Sequence, residues 1–168
     1  MVLRKFALAV VLIGMVGCGK PHYKALGSRG VAVMEAADSM ELMTLYPFPS
    51  EGGSAASQPE IIHGYRILGR AMVTDAAARR RLVDALFGAI DGSNGPTPSC
   101  FNPRHALRAT RGGKTVEVII CFECRSLMVY GEAAGGRATI RPDEGKVFVE
   151  IARQMGLPDP PEKEPGAD

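Results

Sequence analysis

The chain has 168 residues, with 20 Lys and Arg against 18 Asp and Glu and 46% hydrophobic residues. This length suits a single domain with a hydrophobic core and flexible ends. Nucleic-acid binding depends on clustered basic residues that neutralise phosphates, and a net charge of +2 argues against it.

The N-terminal segment is predicted to be a secretory signal peptide. Arg4 and Lys5 precede an uncharged apolar run over residues 6–16, which is shorter than the roughly 20 residues of a membrane-spanning helix. The sequence Met-Val-Gly-Cys at residues 15–18 resembles the lipobox of bacterial lipoproteins. The resemblance implies that residues 1–17 are removed and that Cys18 becomes the acylated first residue of the mature chain.

Lipid attachment at Cys18 predicts a location in the cell envelope. Two or more acyl chains hold a protein stably on a membrane, whereas one chain gives marginal binding. No Asp follows the cysteine, which by analogy with bacterial lipoproteins favours the periplasmic side of the outer membrane in a cell that has one. The expected partners are the membrane, through the anchor, and an unknown envelope protein or small ligand; nucleic acid is not among them.

The mature chain is predicted to comprise a tether, one domain and a tail. Residues 18–30 contain Pro and several Gly and are predicted to be a lipid-anchored tether. A single α+β domain is expected over residues 31–158. Residues 159–168 are rich in Pro and charge, which predicts a disordered tail.

Two strands and a helix are predicted in the first half of the domain. Residues 40–46 and residues 61–73 are β-prone, and glycines in the second segment are expected to cause bends or bulges. Thr74 is a suitable N-cap for a helix that runs to about Ile90, with apolar residues repeated on one face.

A β-hairpin is predicted around Gly112-Gly113, because two glycines can adopt the positive φ of a type I′ turn. Pairing Arg111 with Lys114 sets Arg108 opposite Glu117, which is a favourable opposite-charge pair. The same register places six residues on one face that is apolar apart from its histidine: His105, Leu107, Ala109, Val116, Val118 and Ile120.

A further strand over residues 125–130 and a last helix over about residues 143–155 complete the order β-β-α-β-β-β-α. This order predicts an α+β fold, in which an antiparallel sheet of about five strands carries two helices packed on one face.

Three cysteines and one histidine form a dense group of chemically active residues, spaced as Cys100-x4-His105-x15-Cys121-x2-Cys124. The hairpin register brings them toward one end of the sheet. A disulfide is one interpretation, because neighbouring cysteines usually pair in an oxidising compartment. The sequence leaves three pairings open, 100–121, 100–124 and 121–124, each with one thiol left over.

A structural zinc site is the second interpretation. Zinc favours four tetrahedral sulfur and nitrogen ligands, so Cys100, His105, Cys121 and Cys124 are candidate metal ligands. Thiol redox chemistry at Cys121 and Cys124 is the third. Redox C-x-x-C pairs sit at a helix N-terminus, whereas a strand is predicted after Cys124.

Other candidate chemistry is sparse. His22 and His63 have no acid or nucleophile at a recognisable spacing. No phosphate loop or nucleophile elbow accompanies the serines or glycines. The sequence therefore predicts no catalytic residue.

Three segments carry a resemblance to a family of uncharacterised bacterial secreted proteins and lipoproteins. They are His-Gly-Tyr-Arg-Ile-Leu-Gly at 63–69, Cys-Phe-Asn-Pro-Arg-His at 100–105 and Ile-Cys-Phe-Glu-Cys at 120–124. The resemblance implies a common α+β fold and a secreted or anchored location, and it implies no activity.

These observations predict an envelope lipoprotein that acts as a binding or structural module, with a hairpin stabilised by its Cys and His residues. The alternative is a thiol-redox or metal-dependent enzyme that uses Cys121 and Cys124.

Overall fold

The computed structural model describes residues 20–48, 60–93, 95–96, 99–132 and 135–162. The predicted signal peptide and the predicted lipidation site Cys18 lie outside these ranges, as do residues 163–168 of the predicted tail. No helix among the described residues has the length and apolarity needed to cross a bilayer.

Three helices and seven strands follow one another along the described chain: α1 (Pro21–Glu35), β1 (Ser39–Leu45), β2 (Ile61–Ile62), β3 (Tyr65–Met72), α2 (Ala76–Asp91), β4 (His105–Arg111), β5 (Lys114–Cys121), β6 (Ser126–Gly131), β7 (Gly136–Thr139) and α3 (Gly145–Gln154). The strands form one sheet in the order β2-β3-β1-β4-β5-β6-β7. Every neighbouring pair in it is antiparallel.

The prediction of about five strands and two helices is therefore wrong. The β-prone segment at residues 61–73 is divided at His63 and Gly64, which have φ values of 47° and 88° and turn the chain from β2 into β3. The four-residue strand β7 was not predicted, because it is short and begins at a glycine. The third helix is α1.

Helix α1 occupies much of the segment predicted to be a tether. Pro21 lies in its first turn, where the missing N–H and fixed φ of proline are tolerated. Leu26, Val31 and Met34 are buried in the core. The helix was obscured in the sequence because Gly27, with φ 65°, interrupts the helical backbone and the apolar residues do not follow one regular spacing.

The predicted hairpin register is confirmed. Arg111 pairs with Lys114, Arg108 with Glu117, and His105 with Ile120 across β4 and β5. The turn glycines, Gly112 and Gly113, both have positive φ.

The sheet has a buried cluster on each face. The helices cover one face, where strand residues such as Leu107 and Val118 pack with Leu86 and Phe148. A smaller cluster lies on the face opposite the helices and consists of Met43, Leu45, Ile62, Ala106 and Ile119.

Two predicted boundaries also change. The N-cap of α2 is Asp75, one residue after the predicted Thr74, and its carboxylate accepts a hydrogen bond from the Ala78 nitrogen at 2.6 Å. In the predicted tail, residues 159–162 pack on the domain, because Arg104 donates to the Pro161 carbonyl at 3.0 Å.

Candidate functional site

The β5–β6 turn carries a disulfide between Cys121 and Cys124, whose Cα atoms are 5.1 Å apart. The Cys124 nitrogen donates to Cys121 Sγ at 3.0 Å, and the Asn102 nitrogen donates to Cys124 Sγ at 3.2 Å. Of the three pairings left open by the sequence, the structure contains this one. The bond closes the turn that joins two central strands.

Cys100 is a free, exposed thiol. Its carbonyl oxygen accepts a hydrogen bond from Arg137 at 2.8 Å, and Arg137 also reaches Ser126 Oγ at 3.1 Å. Because Asn102, two residues later, contacts Cys124, the thiol belongs to the same end of the sheet as the disulfide.

His105 is buried between the sheet and α3. Its ring centroid lies 6.3 Å from that of Phe122 and 6.0 Å from that of Phe148, and its Nδ1 has no hydrogen-bond partner. Burial is the main cause that lowers the pKa of His105 to about 4. At neutral pH the imidazole is therefore uncharged.

This geometry does not support the predicted Cys3His zinc site. His105 pairs with Ile120 on the helix-covered face, and alternation along β5 directs Cys121 to the other face. Two of the proposed sulfur ligands are joined to each other. Within the described ranges, no three His, Cys, Asp or Glu side chains lie close enough to hold a metal ion.

The arrangement around the disulfide also differs from that of a redox C-x-x-C pair. Strand β6, rather than a helix, follows Cys124, as the sequence indicated. Both cysteines are buried. Glu123, between them in sequence, lies 3.2 Å from Arg104.

A polar network lies on the face opposite the helices, and of it the sequence predicted only the pair of Arg108 with Glu117. Glu117 Oε1 accepts from Arg108 Nε at 2.6 Å, and Glu41 Oε2 accepts from Arg108 Nη1 at 2.9 Å. Arg70 lies 3.7 Å from Glu41 and also pairs with Glu60. Acidic and basic groups thus alternate from β3 across β1 and β4 to β5.

His63 connects the β2–β3 turn to this network. Its Nε2 donates to Glu117 Oε2 at 2.6 Å, and its ring stacks on Tyr130 with centroids 3.6 Å apart. The backbone of His63 has φ 47°, which is uncommon for a residue other than glycine. Backbone strain of this kind concentrates at functional positions.

The electrostatics keep Glu117 ionised. Burial raises the pKa of its carboxyl, but the hydrogen bonds and charges of Arg108 and His63 outweigh burial and lower it. The side chains of Glu117 and Glu41 are 17% and 13% exposed, which distinguishes them from ordinary surface acids.

Three residues of this network, Glu41, Arg108 and Glu117, lie between apolar neighbours on their strands, and this alternation is the signal that could have indicated their common face. The sequence gave no sign that His63 belongs to the network, because its partner Glu117 is 54 residues away. His22 has a distant partner as well, Asp91, 69 residues away. Neither partner lies at a spacing that the sequence makes recognisable.

Comparison with models of protein families gave no match, and comparisons with curated proteins and solved structures gave none either.

Proposed function

We propose that this chain is an envelope lipoprotein anchored through Cys18, and that its domain is a binding module for another envelope protein. The Cys121–Cys124 disulfide fixes the end of the central hairpin in this role. The surroundings of Cys121, Cys124 and His105 support binding over catalysis: these two sulfurs are buried and bonded to each other, and the imidazole lies on the other face of the sheet.

The network of Glu41, Arg108, Glu117 and His63 is the observation that carries the proposal. Its hydrogen bonds hold the charged groups in fixed positions on a face that the helices leave uncovered. Charges that are partly exposed and held in place beside an aromatic ring favour a partner with complementary charges. Because they are already ordered, they lose little conformational entropy when the partner binds. The charged groups extend over four neighbouring strands, β3, β1, β4 and β5, and a surface of that width suits a protein partner.

The anchor is tested by sedimentation of the full-length chain. Cys18→Ser is expected to release the protein from membranes, because the acyl chains supply the attachment. If Cys18→Ser still sediments with membranes, the lipoprotein assignment is wrong.

The binding face is tested by site-specific photocrosslinking in the cell envelope. Met72 is exposed on β3 and pairs with Glu41, whereas Arg80 is exposed on α2 and serves as the matched control. A photoreactive residue at Met72 is expected to give a defined adduct that Glu117→Gln weakens and that Arg80 does not give. Equal adducts at both positions, or an adduct insensitive to Glu117→Gln, contradict the proposal.

Thiol–disulfide exchange is a second candidate function, favoured by the exposed thiol of Cys100, two residues before Asn102, whose nitrogen donates to Cys124 Sγ. In that reaction the Cys100 thiolate attacks Cys124 Sγ, a Cys100–Cys124 bond forms, and Cys121 leaves as a thiolate. The candidate requires Cys124 to become accessible, since it is buried in the present state. Mapping the disulfide after incubation with a glutathione redox buffer tests it: a Cys100–Cys124 bond supports exchange, and a retained Cys121–Cys124 bond excludes it.

A further inference from the structure

The beginning of α1 is fixed to the body of the domain. The carboxylate of Asp91, at the end of α2, accepts hydrogen bonds from the backbone nitrogen of His22 at 2.8 Å and from its Nδ1 at 2.7 Å. The His22 ring also stacks on Phe87, with centroids 4.4 Å apart and planes 3° from parallel. These contacts prevent the first turn of α1 from swinging away from the domain.

Covalent geometry then limits the distance between the domain and the proposed anchor. Only Gly19 separates Cys18 from Lys20. Two Cα–Cα steps of about 3.8 Å allow at most about 7.6 Å between Cys18 and Lys20. An acylated Cys18 lies at the membrane surface, so Lys20 must lie in or directly beside the headgroup layer.

The exposed side chains at this end of α1 have the chemistry of a membrane interface. Lys20 and Lys24 are exposed and cationic, and Tyr23 is 44% exposed. Tyrosine is enriched at headgroup depth, and lysines are attracted to anionic lipids. Three acids line a cavity beside Lys20 and Tyr23: Asp91 is paired with His22, and Glu35 and Asp84 lie further along α1 and α2.

We propose that Lys20, Tyr23 and Lys24 form a membrane-contact surface that lies in the headgroup layer and binds anionic phospholipid headgroups. This inference rests on the proposed anchoring of Cys18. The domain therefore sits directly on the membrane in a defined orientation.

The orientation follows from α2, whose end at Asp91 is bonded to His22 beside this surface. A cavity of about 400 Å³ at this end of the domain is lined by Pro21 and Lys24 of α1 and by Gly136 to Thr139 of β7. Helix α2 has 16 residues and is therefore about 24 Å long. Its start at Ala76, and the end of β3 at Met72, lie at the opposite end of α2 from the membrane-contact surface.

The test uses tryptophan as a reporter, because the chain contains none. Tyr23→Trp places the reporter in the membrane-contact surface, and Met72→Trp places a matched control at the end of β3, where the native residue is 49% exposed. The full-length protein is matured in cells, purified with its acyl chains, checked by mass, and reconstituted in phosphatidylcholine vesicles with added phosphatidylglycerol. Headgroup-labelled quencher lipids and vesicle flotation are the two measurements.

Tyr23→Trp is expected to be quenched strongly and Met72→Trp weakly. Labelled phosphatidylglycerol should be preferred over labelled phosphatidylcholine by roughly fivefold per lysine, and Lys20→Gln with Lys24→Gln should remove this preference. Lys114→Gln, at the distant hairpin tip, should leave it unchanged.

Two results overturn the proposal and separate it from the anchoring. Acylated protein that floats with vesicles but shows equal quenching at both positions excludes the membrane-contact surface alone. A mature chain without acyl groups excludes the proposed anchoring, and this orientation with it.

Discussion

Arg108 Nε donates to Glu117 Oε1 at 2.6 Å, across the register that the Gly112-Gly113 turn imposes on β4 and β5. The same carboxylate accepts from His63. Glu117 therefore joins the hairpin of β4 and β5 to the turn between β2 and β3, and replacing it should weaken the contacts of both.

Glu117→Gln is expected to destabilise the fold by about 1 kcal/mol, because it keeps the shape but removes the charge that Arg108 and His63 pair with. Urea unfolding at neutral pH measures the change. Glu150→Gln, which breaks the exposed pair with Arg81, should cause no measurable change. Equal effects of both substitutions would show that the network adds nothing beyond surface charge.

The contribution of Glu117 to the stability of the fold depends on pH, in a direction set by the shift of its pKa. The pKa of Glu117 is lowered from 4.5 in the fold. Its contribution is therefore fully present above about pH 4.5 and is lost as the pH falls through the lower folded value. The stability difference between the wild-type protein and Glu117→Gln should shrink over that acidic window; a difference that persists at the acid end would contradict the shift.

His105 should make the fold sensitive to acid at a higher pH than Glu117 does. Its pKa is about 4 when folded and 6.5 when unfolded, so the unfolded chain takes up a proton first. Stability should fall by about 3 kcal/mol as the pH drops from above 6.5 to about 4. In His105→Leu this slope should be absent, and at pH 7 the variant should be at least as stable, because the Nδ1 of His105 is buried without a partner. An unchanged slope in His105→Leu would exclude His105 as its cause.

Local chemistry decided which parts of this fold were predictable. The hairpin register follows from two adjacent glycines and from the complementary charges of Arg108 and Glu117, all within ten residues of one another. The same reasoning placed His105 on the helix-covered face. Helix α1 was missed because its glycines and proline resemble a linker, and its start depends on Asp91, 69 residues away.

The candidate site was less predictable than the fold, because its contacts join residues that are distant in the sequence. The sequence brought Cys121 and Cys124 together but left the pairing open, since connectivity depends on which side chains meet across the turn. It gave no sign of the contact between His63 and Glu117, which exists only once β2, β3 and β1 are assembled beside the hairpin.

Asp91→Asn should loosen the start of α1 without unfolding the domain. Replacing the carboxylate removes a charge-assisted hydrogen bond to His22, with an expected cost of about 1–3 kcal/mol. Hydrogen exchange should increase at the amides of the first two turns of α1 and remain unchanged in β4 and β5. The control is Asp84→Asn, an exposed acid on the same helix. Uniform acceleration throughout the sheet would show that the contact stabilises the whole fold rather than the helix start.

The thiol count distinguishes the remaining interpretations of the cysteines. In the acylated protein, purified without chelator, one thiol should react in the native state, that of Cys100, and unfolding without reductant should reveal no other. The metal content should be zero. One bound zinc per chain, with three thiols that react after unfolding and metal removal, would instead establish the Cys3His site.

The same cysteines can be compared by their effect on stability. Cys121→Ser should lower the free energy of unfolding by about 2 kcal/mol, the entropy expected for so short a disulfide loop. Cys100→Ser should leave it unchanged. Equal costs for the two substitutions would show that Cys100 shares in the structural bond.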